Sequence, residues 1–170
     1  MVRFERLRAE HAGALLAFER ENRAYFARTV PDRGDAYFAE FAARHRALLA
    51  EQATGACHFH LLLDDTGQLL GRVNLVDVQG GEAELGYRIG ESATGRGLAT
   101  AAVAEIRHLA ATDYGLTALV ACTTLDNPAS RTVLERNGFT PVGEVDLDGR
   151  PGVRFRRELA RFRPEPAARG

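Results

Sequence analysis

The chain has 170 residues, 45% of them apolar, which suits one folded domain with a real core and excludes a disordered chain. Its formal charge is −1 with acids and bases interspersed, so no broad basic field and no obligatory nucleic-acid partner is implied. No apolar run is long enough to cross a membrane, and Met1-Val2-Arg3-Phe4-Glu5-Arg6 lacks the apolar stretch of a signal peptide, so a cytoplasmic protein is expected.

Val2 to Leu7 alternates as a first strand. His11 to Phe26 reads as a helix, with Leu15, Leu16, Phe18 and Phe26 as its apolar stripe. Pro31 to Asp35 is a break. Ala36 to Glu51 is helical again, with Tyr37, Phe38, Phe41, His45, Leu48 and Leu49 at spacings of three and four. The period then changes to two. Strands are expected over Cys57–Leu63, Gln68–Val78 and Glu82–Ile89, joined by the turns Asp64-Asp65-Thr66-Gly67 and Gln79-Gly80-Gly81 as an antiparallel meander. A helix follows over Gly97–Thr112, then a strand over Leu116–Thr123 apolar enough to be covered on both faces. Asn127–Asn137 reads as a short helix with Pro128 in its first turn and Gly138 at its cap. Phe139–Val145 and Val153–Leu159 are the last strands. A single domain over 1–162 and a flexible tail over 163–170 are expected. The fold class is therefore α/β, with a mixed sheet in place of a regular βαβ alternation.

Cys57 and Cys122 form no CxxC pair and read as two buried thiols. His58 and His60 share one strand face, but nothing at suitable spacing joins them as metal ligands, so no metal is expected.

The segment that carries chemistry is Thr94-Gly95-Arg96-Gly97-Leu98-Ala99-Thr100. It lies between a strand and a helix. The first amides of a helix have no internal partners and point along the positive end of its dipole. Glycines at 95 and 97 clear the approach to them, which suits a phosphate or pyrophosphate. A Walker A loop needs Lys-Ser/Thr after its second glycine, where Leu98-Ala99 stands. The dinucleotide fingerprint needs a βαβ unit, where the meander stands.

Here the sequence resembles the GCN5-related N-acetyltransferase (GNAT) family, whose signature is Gln/Arg-x-x-Gly-x-Gly/Ala. The turn reads Thr94-Gly95-Arg96-Gly97-Leu98-Ala99, so Thr94 departs from the pattern. More specifically, it is similar to the branch that acetylates N-termini of ribosomal proteins. The matching motifs are Glu84-Leu85-Gly86-Tyr87, Gly95 to Thr100, Asn127-Pro128-Ala129-Ser130 and Asn137-Gly138-Phe139, in that order. The resemblance implies a GNAT fold: a mixed, largely antiparallel sheet of about seven strands flanked by helices. It also implies an acetyl-CoA-dependent enzyme that acetylates a primary amine, on a peptide N-terminus or a small molecule.

By this resemblance Ile89 pairs the pantetheine through its main chain, and Thr94 to Thr100 cradle the pyrophosphate. Glu84 is the candidate base, with Glu82 on the same face as its competitor. Ser130 is the candidate proton donor to the leaving thiolate, or else a capping hydroxyl. Asn127 is an N-cap, a pantetheine contact, or both. Arg131 is placed to meet a CoA phosphate or to stay solvated. The segments Asn22–Phe26 and Pro31–Tyr37 are expected to build the acceptor wall. A monomer or homodimer without metal, membrane or nucleic-acid partner is expected. A non-catalytic acyl-CoA sensor and an antibiotic- or polyamine-modifying enzyme are the competing readings.

Overall fold

The first strand, β1 (Arg3–Arg6), pairs antiparallel with β2 (His58–Leu63), Phe4 lying opposite Leu62. Between them run α1 (Ala12–Glu21), α2 (Arg23–Phe26), α3 (Asp35–Ala39) and α4 (Phe41–Ala53). The meander continues through β3 (Leu69–Gln79) and β4 (Glu82–Ile89). Then come α5 (Leu98–Thr112), β5 (Ala118–Thr124), α6 (Pro128–Arg136), β6 (Thr140–Leu147) and β7 (Arg150–Glu158). This computed structural model describes residues 1–160, so the tail expected over 163–170 lies outside the described residues. Among those residues no helix is long and apolar enough to cross a membrane.

The seven strands form one sheet in the order β1-β2-β3-β4-β5-β7-β6. Every neighbouring pair is antiparallel except β4 and β5, which are parallel because α5 crosses between them. Strand alternation gives each face its own core. Val73, Leu75, Leu85, Leu119, Ala121 and Phe155 pack with Ala102, Val103 and Ile106 of α5. Phe59 and Leu61 pack on the other face with Leu15, Phe18, Phe26 and Phe41 of the N-terminal helices. Phe155, Val103 and Ile106 are wholly buried. Close packing there makes the sheet a rigid platform.

Two expected helices are broken. The first is interrupted at Asn22 and the second at Glu40, both of which leave helical geometry. At Asn22 the reason is local: its side-chain amide donates to Phe18 O (3.0 Å) and its carbonyl accepts from the Glu91 amide (2.9 Å). An asparagine that can bond the backbone of another segment competes with helix continuation.

The histidine pair is structural. The His58 ring stacks on Tyr114 with centroids 3.6 Å apart. The Tyr114 hydroxyl accepts from Arg6 (2.7 Å) and lies 2.8 Å from His60 Nε2. Burial, and then the Arg6 charge, lower both imidazoles to about 4, which keeps them neutral. Among the described residues no group of three or more His, Cys, Asp or Glu gathers to hold a metal.

Candidate active site

Hydrogen bonding between β4 and β5 stops at the pairs Glu82–Ala118, Ala83–Leu119 and Glu84–Val120, although β4 runs on to Ile89 and β5 to Thr124. Beyond Glu84 the two parallel strands splay. The inner edge of β4 from Leu85 to Ile89 therefore presents main-chain donors and acceptors without a β5 partner. Such an edge accepts an extended amide-bearing chain as if it were a strand.

A cleft of about 490 Å³ occupies this splay, within the range of small-molecule sites. It passes between the two faces of the sheet. On the α5 side its walls are Leu85, Tyr87, Ile89, Thr94, Ala99, Ser130, Val133 and Leu134. On the other side they include Tyr25, Arg28, Thr29, Asn74, Gly86, Arg88 and Cys122. Gly86 is the pivot. A Cβ added there meets nothing within 4 Å, and its partner across the strands is Asn74. A side chain at 86 would stand in the passage between the two sides.

The glycine turn opens at the α5 end of this cleft. Gly95 (φ +77°) and Gly97 (φ +73°) adopt the left-handed conformation that side chains disfavour. No atom lies within 4 Å of a Cβ built on either, so the approach is open. Gly97 is the N-cap of α5 and makes no side-chain cap bond. The first α5 bond onto Gly97 is from the Ala101 amide (3.1 Å), and among the described residues the amides of Leu98, Ala99 and Thr100 have no protein acceptor. Three free amides at the positive end of a four-turn helix make an anion cradle.

The departure at Thr94 has a physical account. Its hydroxyl donates back to Glu91 O (2.8 Å), and Arg96 reaches Ser92 O (3.0 Å). Both side chains brace the turn, so the cradle consists of backbone.

Two buried asparagines fix the turn from its ends. Asn22 receives the Glu91 amide. Asn137 donates to Thr100 O (3.2 Å) and Val133 O (3.0 Å), tying the end of α6 to the first turn of α5. Both are nearly inaccessible to solvent, at 6% and 3%. Each such bond contributes about 1 kcal/mol net, and more is lost when a buried partner is stranded. Neither role was expected from sequence, since Asn137 stood there only as part of a motif.

On the α6 wall, Asn127 caps the helix, its Oδ1 accepting from the Ser130 amide (3.2 Å). This places the Ser130 hydroxyl 3.0 Å from the Tyr87 hydroxyl. Burial raises the Tyr87 pKa, against the effect of Ser130, so the phenol holds its proton. In the sequence Tyr87 stands within the Glu84-Leu85-Gly86-Tyr87 motif, with no sign of this role. The Arg131 amide closes onto Asn127 O, and its side chain makes no ion pair among the described residues.

The structure separates the two candidate carboxylates. Glu82 is held by Arg156. Glu84 makes no ion pair among the described residues and sits on the last rung before the splay, opposite Val120. It faces the N-terminal-helix side, close enough to Cys122 to help raise that thiol's pKa after burial. Cys122 is not the buried thiol expected, because the splay leaves it half-exposed on the cleft wall, whereas Cys57 is buried.

Of the residues expected at the site, Ile89, Thr94, Ala99, Asn127 and Ser130 line the cleft. Gly95, Arg96, Gly97, Leu98 and Thr100 form the turn above it, and Glu84 marks its vertex. The segment around Pro31 to Tyr37 stays outside the cleft. Arg33 instead joins a buried cluster around Glu19, which is 1% exposed and meets Arg72 (2.9 Å), Arg33 (3.3 Å) and Arg88 (3.5 Å). Sequence gave no sign of this cluster, because its members come from α1, the α2–α3 loop, β3 and β4.

A splayed parallel pair, an amide cradle at the crossing helix and a passage through the sheet define an acyltransferase that holds a phosphate-bearing acyl carrier. The family model for the acetyltransferase (GNAT) domain matches residues 2–140, and the chain belongs to this family of acetyl-CoA-dependent N-acetyltransferases. No curated sequence matches the chain. Among solved structures it is similar to a ribosomal-protein-S5-alanine acetyltransferase from Vibrio fischeri, with TM-score 0.89, 17% identity and 96% of each chain covered. It is similar to RimJ of Mycobacterium smegmatis in complex with a CoA-disulfide, with TM-score 0.81, 23% identity, and 92% of this chain and 81% of that one covered. It is also similar to a spermidine N-acetyltransferase from Vibrio cholerae with CoA and spermine, with TM-score 0.75, 17% identity and coverage of 93% and 95%. At these identities the likeness concerns the fold.

Proposed function

We propose that this protein moves the acetyl group of acetyl-CoA to a primary amine of a peptide N-terminus or small molecule, by direct attack of the amine on the thioester. The observation that supports this is the cleft at Gly86, whose lining runs from Thr94 and Ala99 beside the cradle to Arg88 and Cys122 on the other sheet face, with Glu84 two residues before Gly86 on that same strand face. The analogy we follow is with the branch acting on ribosomal-protein N-termini, and the cytoplasm is the compartment we assign.

The bound co-substrate supplies an activated acetyl group; the rest is done by residues of this chain. The amides of Leu98, Ala99 and Thr100 hold the pyrophosphate, and the open edge of β4 at Ile89 aligns the pantetheine amides. An amine arrives protonated and must lose a proton before it is a nucleophile. Glu84 accepts that proton, directly or through one water. The new C–N bond forms as the C–S bond breaks, and the departing sulfur takes a proton from the Ser130 hydroxyl. The attacking nitrogen sheds its second proton to solvent as the amide forms, while Tyr87, which hydrogen-bonds Ser130, replaces the serine's proton and is itself reprotonated from solvent. Asn127 fixes the turn on which Ser130 stands.

Calorimetric titration with acetyl-CoA tests the cradle, and absence of binding at millimolar ligand overturns it. A thiol-release assay over amine acceptors tests transfer; binding without turnover on any of them identifies a sensor instead. Glu84→Gln is expected to leave acetyl-CoA affinity unchanged and lower kcat about 100-fold. Unchanged turnover removes Glu84 from the mechanism.

A further inference from the structure

Among the described residues, the charged side chains that line the cleft, Arg28 and Arg88, are both cationic, and no carboxylate lines it. Arg88 is only partly neutralised. Among the described residues its one ion pair is with Glu19, which is shared with Arg72 and Arg33, so three guanidinium groups surround one carboxylate. The Arg88 guanidinium is lowered to about 10, by burial and then by repulsion from Arg33. At neutral pH it keeps its charge. Arg28 is 68% exposed; it lies over the Tyr25 ring, and its ion pair among the described residues is a loose one with Glu91 at 3.9 Å. A third cation, Arg154, stands opposite Cys122 on β7. Against these stands Glu84 at the vertex.

We infer that the acceptor is an anionic amine: a primary amine with a carboxylate close behind it, and not a polyamine. This rests on the transfer reaction proposed above. Arg88 follows Gly86 by two residues on the same strand face, which is roughly 7 Å. An extended peptide advances about 3.4 Å per residue, so an amine at the Gly86 passage brings an acidic side chain on its first to third residue toward Arg88 and Arg28. A free acidic amino acid offers the same chemistry in a shorter molecule. A polycation meets repulsion on this wall in addition to losing its hydration.

The test compares four acceptors in the thiol-release assay: a pentapeptide with Asp and Glu at its second and third positions, the same peptide with Lys at both, free glutamate, and spermidine. The acidic peptide or glutamate is expected to exceed the Lys peptide and spermidine in kcat/KM by about tenfold or more, with the gap narrowing as salt rises. Which acidic acceptor leads tells a peptide substrate from a metabolite. Arg28→Glu reverses an exposed charge and does not disturb the fold. Arg88→Gln leaves Glu19 with two arginines. Each is expected to raise the KM of the acidic acceptor at least about fivefold and leave the acetyl-CoA Kd unchanged. A preference for spermidine or the Lys peptide overturns the inference and leaves the acetyltransferase reading standing. So does a flat panel, or arginine variants that weaken acetyl-CoA in place of the acceptor. No turnover on any acceptor, with acetyl-CoA bound, overturns both.

Discussion

The two halves of the cleft are built by different means. The half on the α5 side is made of backbone: free amides at Leu98 to Thr100, an unpaired edge on β4, and a hydroxyl pair set by one helix cap. The half beneath the N-terminal helices is made of side chains, Tyr25, Arg28, Asn74, Arg88 and Cys122 among them, and Arg88 is held from behind by a cluster of four separate segments meeting at Glu19. A backbone site tolerates almost any side chain that stays out of the way, as the inward-turned Thr94 shows. A side-chain site is rewritten by single substitutions. One frame can therefore keep its acyl donor constant while the amine changes.

The largest expected effect breaks the backbone half alone. Gly97→Glu places a carboxylate on the cradle. No neighbouring atom blocks a side chain at Gly97 and a negative charge at a helix N-terminus favours the helix, while its φ of +73° adds backbone strain of about 1–2 kcal/mol. Acetyl-CoA affinity is expected to fall beyond about 100-fold, by bulk and like charge at the pyrophosphate. Gly97→Ala carries the same strained φ without the charge, so weaker binding in both variants would indicate strain instead of occlusion. Calorimetry on the two separates the causes.

Gly86→Leu divides the halves from each other. Gly86 has ordinary strand geometry, and its Cβ position is empty, so the variant should fold as well as the parent. Turnover on every amine is expected to fall by about 100-fold or more while the acetyl-CoA Kd shifts less than about threefold. Normal turnover would mean that the amine does not come through the sheet at 86.

This asymmetry also decided what could be read from the sequence. The α5 half lies in contiguous motifs, where a backbone requirement leaves a local trace: glycine where φ is positive, proline and asparagine at a helix start, small residues beneath a phosphate. The positive-φ turn and the Asn127 cap were legible for that reason, and so were the seven strands and their meander, while the role of Ser130 rests on the family resemblance. The Glu19 cluster was not. Its members are 14, 53 and 69 residues away from Glu19 in the chain, and each taken alone is an ordinary arginine on a helix, loop or strand. The helix breaks at Asn22 and Glu40 were missed because the apolar period continues through both. The break at Asn22 follows from a bond to Glu91, 69 residues away.

The smallest expected effect concerns the joint between the halves. Asn137 and Asn22 each pin one end of the glycine turn, but they belong to different halves: Asn137 ends α6, whereas Asn22 lies between α1 and the arginine-bearing α2 wall. Replacing either by Ala strands buried backbone groups at a cost of about 1–3 kcal/mol, read as a lower Tm. Asn137→Ala should weaken acetyl-CoA binding severalfold by loosening the first turn of α5, with acceptor KM unchanged. Asn22→Ala should weaken acetyl-CoA binding and raise acceptor KM together, since the freed wall carries Tyr25 and Arg28. If the two variants move the same constants, the halves are mechanically one unit and the division fails. If only Asn22→Ala moves both, Asn22 is where the position of the amine wall is set against that of the cradle.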